Sequence, residues 1–157
     1  MQKIKTILTA FGFSAALLAA APVFADGHLE KAIEARKAVM SLYSFNLGQL
    51  GAMAKGNVAY DAAAASAAAG NLAALAALDQ GAMWPKGSDA TAMPDKTRAK
   101  AEIWSTYPEI SGKSKALVDA SAAMAKVAGD GLPALQGAIG SVGQSCGGCH
   151  KPFRAPK

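Results

Sequence analysis

The chain has 157 residues, of which 52% are apolar but only 6% aromatic. Alanine, present 38 times, fills the gap; it is the strongest helix former and a poor filler of volume, and the scarcity of β-branched and aromatic residues argues against all-β and parallel α/β architectures. The net charge of +5 arises at the two ends, from Lys3 and Lys5 and from the terminal KPFRAPK, so the body of the chain lacks the basic stripe of a nucleic-acid binder.

Residues Met1 to Ala25 read as a cleavable export signal. Lys3 and Lys5 form its positive start, Ile7 to Ala21 its uncharged apolar run, and Val23-Phe24-Ala25 its small-residue cleavage site. The apolar run is shorter than the ~20 residues a membrane span requires, and no later segment is long and apolar enough to span. Cleavage leaves 26–157 as one mature domain of net charge +3, expected to be exported.

Four helical segments follow. The first runs from about Gly27 to Ala54, with Leu29, Ile33, Arg36, Met40, Tyr43, Leu47, Leu50 and Ala54 on one stripe at steps of three and four. The second runs from about Tyr60 to Leu78, with Asp61 as N-cap and Ala65, Ala68, Leu72 and Leu75 as its apolar face. Residues 79–96 are rich in Gly, Pro and Asp and form the one long loop. The third segment, 96–127, is interrupted at Pro108, leaving a short turn around Ile103-Trp104 and a main body from Glu109. The fourth begins near Gly131, takes Pro133 in its first turn and stops at Pro152. Short connections favour antiparallel neighbours, so the expected fold is all-α: an up-down-up-down antiparallel four-helix bundle.

Both cysteines lie in Cys146-Gly147-Gly148-Cys149-His150. C-x-x-C-H is the attachment signature of c-type haem. Thiols at i and i+3 share a helix face, so both reach one porphyrin edge as thioethers, and the adjacent imidazole becomes the proximal iron ligand. The alternatives fit less well. A redox dithiol calls for a βαβ context, structural zinc for about four ligands, and a disulfide here would staple almost nothing. Leu132, Leu135, Ile139, Val142, Cys146, Cys149 and Phe153 keep the three-four rhythm, so the thioethers project from the buried stripe of the last helix.

With these residues in view the chain resembles the class II c-type cytochromes, the cytochrome c′ group. The resemblance rests on the C-terminal position of Cys146-Gly-Gly-Cys149-His150, on Arg36-Lys-Ala-Val-Met40, on the Lys55-Gly56 and Tyr60-Asp61 turn, and on Trp104. It implies a bundle around one covalent haem c per chain, exported to the periplasm and often dimeric through the first two helices. Phe153 and Arg154 stand at the family's aromatic and arginine positions after the motif, Phe153 without the hydroxyl of the commoner tyrosine. Arg154 becomes a second candidate for a haem propionate. Lys151-Pro152 departs from the usual pattern, and Pro152 is expected to end the helix early.

Arg36 is the one charge on the first helix's apolar stripe. A buried guanidinium needs a partner, and the resemblance assigns it a haem propionate, with a solvated, snorkelling head as the plainer alternative. Met40, at i+4 from Arg36, is the candidate distal iron ligand, which would make a low-spin electron carrier. If Met40 only packs there, the iron is five-coordinate and open to nitric oxide or carbon monoxide. Met53 and Met124 are read as core, and Met83 and Met93 as loop residues out of reach of the iron. Trp104 and Tyr43 are read as core packing, Trp84 as a cap on the bundle end, His28 as exposed. Lys151, Arg154 and Lys157 would steer an acidic redox partner protein. No nucleophile–base pair accompanies the motif, so the chain is expected to carry electrons or bind gas and not to act as an enzyme.

Overall fold

The computed structural model describes residues 23–156. The export signal lies outside them apart from Val23, Phe24 and Ala25, which begin the first helix; Lys157 lies outside as well. Five helices follow in order: α1 (Val23–Ala54), α2 (Ala62–Ala76), α3 (Glu102–Ser105), α4 (Glu109–Val127) and α5 (Leu132–Phe153). The four long ones form the bundle. α1 packs on α2, α2 on α4, α4 on α5, and α5 returns, more sparsely, to α1. Among the described residues no helix is long and apolar enough to cross a membrane.

Local chemistry sets the boundaries. Asp61 caps α2 by accepting from Ala64 N at 2.7 Å, satisfying one of the orphan amides of the first turn. At the opposite corner Tyr60 Oη donates to Ala128 O at 2.8 Å and accepts from Gly131 N at 3.0 Å. One phenol thus closes both sides of the α4–α5 turn, where Gly131 supplies a φ of 121°. The helix break at Pro108 falls where the sequence places it. The stop expected at Pro152 comes one residue later, α5 ending at Phe153. Proline's fixed φ suits a helix, and beyond the lost amide the ladder resumes with Arg154 N to His150 O at 3.0 Å.

The core is thin in side-chain volume. Ile33, Leu50, Leu72, Met124, Leu135 and Val142 are its largest fully buried side chains, with Ala65, Ala68, Ala69 and Ala128 between them. On α1 the buried stripe differs in part from the expected one. Ala32, Ile33, Arg36, Val39, Tyr43, Asn46, Leu50 and Met53 face inward, and Leu47 and Ala54 are partly buried against the same core. α1 lies chiefly against α2. Asn46 is satisfied by donating to Leu42 O at 2.8 Å and accepting from Asn71 Nδ2 at 3.0 Å, which pins the α1–α2 register.

Ser121 is the exception to polar satisfaction. Its hydroxyl is wholly buried and has no hydrogen-bond partner. Removing an orphaned hydroxyl relieves a desolvation cost, whereas removing Tyr60 Oη strands buried backbone groups. Ser121→Ala should therefore hold or raise stability, by up to ~1 kcal/mol, while Tyr60→Phe should lower it by about 1–3 kcal/mol, as read by urea unfolding of each variant.

Candidate haem-attachment site

The last turns of α5 carry Cys146, Cys149 and His150. Leu135, Val142 and Phe153, buried on the same stripe, orient the helix so that both thiols are half-buried. Burial pushes each thiol pKa upward; Cys146 raises Cys149 further, against a smaller opposing pull from Lys113. Burial also lowers the His150 pKa below its ordinary 6.5, and the cations Arg154 and Arg98 lower it further. The imidazole is therefore neutral at neutral pH, the form that binds a metal. Arg98 comes from the long loop, and nothing in the sequence pattern placed it here.

Across from the motif stands Tyr43 of α1. Burial raises its phenol pKa, a hydrogen bond from Gln80 opposes that, and Cys146 adds to it. The hydroxyl donates to Leu75 O at 3.0 Å and accepts from Gln80 Nε2 at 3.0 Å. Met40 lies three residues earlier on the same helix. Met83 lies in the long loop, as the sequence places it. It closes a 3-10 turn (Gly81–Met83) and packs against the main core cluster that also receives Cys146.

Arg36 is 3% exposed, so the snorkelling alternative fails. Its partners among the described residues are neutral groups of the long loop. Nη1 donates to Ser88 Oγ at 2.7 Å and to Met83 O at 3.4 Å; Nη2 donates to Ser88 O and to Thr97 Oγ1 at 2.9 Å. The guanidinium also lies 4.5 Å from the centroid of the Trp84 ring, a cation–π distance. Burial lowers its pKa, with Asp89 countering in part. Trp84 in turn meets Trp104 at 6.5 Å between centroids, and Trp104 Nε1 donates to Trp84 O at 3.0 Å. Both tryptophans pack with Cys149 against Ala99, Ile103 and Phe153. Trp84 is thus a stacking platform inside the loop as well as a cover for the bundle end. Arg154 is exposed, as are Lys151 and His28, while Met53 and Met124 are buried core.

Sequence reasoning missed Ser88, Thr97, Gln80 and Arg98. Gly87-Ser88-Asp89 reads as ordinary turn chemistry, and no local signal links it to an arginine 52 residues away.

Two half-buried thiols and a neutral imidazole on one helical turn, held within a bundle, define a helical haem protein of the c type. The family model for cytochrome c′ matches residues 31–154, and the chain belongs to that family. A cytochrome c-554 of Cereibacter sphaeroides is 38% identical over 87% of this chain and 90% of its own. The solved cytochrome c′ of Rhodobacter sphaeroides superimposes with a TM-score of 0.79 at 40% identity, over 82% of this chain and 98% of that one. A ferrous variant of the Alcaligenes xylosoxidans cytochrome c′ with nitric oxide bound superimposes at 0.71 with 30% identity, over 82% and 97%. The cofactor is covalently attached haem c, and the donor set at the end of α5 fits it.

The raised Tyr43 pKa has a consequence for stability. The unfolded chain loses its phenol proton first, near pH 10, so the stability tied to the neutral phenol is complete below that pH and falls above it. Denaturant unfolding between about pH 9 and 11 should show this fall, and Tyr43→Phe should flatten it.

Proposed function

We propose that the chain is a periplasmic monohaem protein that binds a small neutral gas, nitric oxide or carbon monoxide, on the iron face opposite His150. In this reading Cys146 and Cys149 form the thioethers and His150 is the proximal ligand. Arg154, and Arg36 through the N–H its loop partners leave over, meet the propionates. The observation that carries it is membership of the cytochrome c′ family, whose model matches residues 31–154. The nitric oxide complex of the Alcaligenes relative supports the same reading. Bound haem supplies the iron, its one-electron chemistry and its affinity for diatomic gases; the residues around it bind, orient and exclude water. No substrate turnover is part of this function. Export through Met1–Ala25 places the protein in the periplasm, where exposed Lys151 and Arg154 steer an acidic redox partner.

The second reading, a low-spin electron carrier with Met40 on the iron, is favoured by one feature. Met40 is one turn from Tyr43, whose phenol senses Cys146. Optical spectra separate the two. The ferric protein should be high-spin, carbon monoxide should readily change the ferrous spectrum, and Met40→Ala should alter neither. A low-spin spectrum with the far-red band of methionine-bound iron, lost in Met40→Ala, would replace gas binding with the carrier. Met83→Ala is the necessary companion, since Met83 packs within the core.

The outer face of α1 exposes Leu42 and Phe45, the latter 66% exposed, one turn apart. A second copy of the chain is the proposed occupant. Phe45→Lys should convert a dimer to a monomer in sedimentation velocity; a wild-type chain that sediments as a monomer at high concentration would remove this proposal.

A further inference from the structure

Residues 77–101 connect α2 to α3 with a single 3-10 turn as their regular structure. Connections of that length without secondary structure are uncommon in a compact domain unless they do something. This one is tied down at both ends of a continuous path. At one end Arg36 holds Met83, Ser88 and Thr97. Thr97 Oγ1, which accepts from Arg36, also accepts from Ala99 N at 3.1 Å, and Ala99 O accepts from Ala90 N at 2.7 Å. At the other end the same stretch pairs with the residues that follow His150. Ala99 bridges Arg154 in antiparallel fashion, Lys100 N donates to Phe153 O at 2.9 Å, and Ala155 N donates to Arg98 O at 2.8 Å.

The place of these bonds matters. Pro152 has no amide to donate, so the ladder of α5 is weakest just after His150. The helix then ends at Phe153, and the loop supplies partners to the Phe153 carbonyl and the Ala155 amide, which have none within the helix. The residues after the motif are therefore fastened to the loop through these bonds and one isolated β-bridge, and are not a loose basic tail. We propose that residues 88–100 act as a strap through which Arg36 fixes the end of α5 and thereby the orientation of His150, making Thr97 and Ser88 positioning residues for the proximal iron ligand. The proposal rests on the reading of His150 as that ligand, but not on what occupies the opposite face.

Thr97→Val removes the acceptor shared by Arg36 and Ala99 N while keeping the side chain's shape. Thr97→Ser restores the acceptor, and Ser88→Ala removes the other hydroxyl that Arg36 uses. Two readouts on the holoprotein are needed: amide hydrogen exchange, and the NMR positions of the His150 ring protons in the reduced state. Those protons are displaced by the haem in either spin state. Losing a hydrogen bond to a charged group corresponds to about a tenfold rise in exchange. That rise is expected at Lys100 and Ala155 in Thr97→Val and Ser88→Ala, with Leu72 in α2 unchanged. The His150 resonances should move with it, and Thr97→Ser should restore both. Faster exchange with unmoved His150 resonances would reduce the strap to a loop fastener and overturn the proposal. Moved resonances without faster exchange at Ala155 would overturn it too, since Thr97 would then act directly on the haem. Failure of the underlying reading looks different: His150 protons lacking any haem-induced displacement in the wild-type chain.

Discussion

A buried guanidinium whose hydrogen-bond partners among the described residues are all neutral is the constraint around which this end of the molecule is organised. Removing Arg36 from water carries a desolvation cost that only well-placed acceptors offset. The chain meets it with two hydroxyls, two carbonyls and an indole face, all from one loop. Because the acceptors are scattered over residues 83–97, satisfying one charge fixes the path of the whole connection. Neutral acceptors avoid the second desolvation that a buried carboxylate would bring. The order of the loop is thus a consequence of charge burial, and the packing of Trp84, Trp104 and Phe153 on Cys149 follows from the order of the loop.

The rest of the bundle faces the opposite difficulty, too little bulk. Alanine at 65, 68, 69 and 128 lets helices approach closely, but it fills little volume and yields little free energy per residue buried. Close approach is realised at α1–α2 and α2–α4, where the fully buried Leu50, Leu72 and Met124 sit. α1 and α5 meet more sparsely. A flat apolar macrocycle is the kind of bulk such a chain can use, and the family to which the chain belongs carries covalently attached haem.

Much of this was legible in the sequence because it is local. Helix content follows from alanine, the cap at Asp61 and the break at Pro108 from backbone chemistry, and C-x-x-C-H from covalent necessity. Errors arose where tertiary contacts decide. A three-four spacing marks a stripe on α1 but does not say which neighbour the stripe faces, and it did not single out Val39, Asn46 and Met53, which are buried. Pro152 reads as a terminator and α5 ends one residue beyond it, but the loop bonds that receive the chain there, to Phe153 O and from Ala155 N, have no local signal. Arg36 was correctly singled out as a charge in an apolar stripe. Its partners were invisible because nothing in Ser88 or Thr97 distinguishes them from ordinary loop residues until the chain is folded.

The division of labour between protein and cofactor follows from where the polar groups are committed. Near the motif, Tyr43 and Gln80 are tied to each other and to Leu75 O, Ser88 to Arg36 and Pro85 O, and Trp104 to Trp84 O. Each bond serves the fold. Among the described residues the groups facing Cys146 and Cys149 therefore offer no poised acid, base or nucleophile, and general acid–base catalysis requires one within hydrogen-bond reach of its target. What the chain offers is geometry: two thiols and an imidazole fixed on one turn, an apolar surround that keeps water away, and cations at the rim. A scaffold of that kind is suited to holding a prosthetic group, and the family to which the chain belongs carries covalently attached haem.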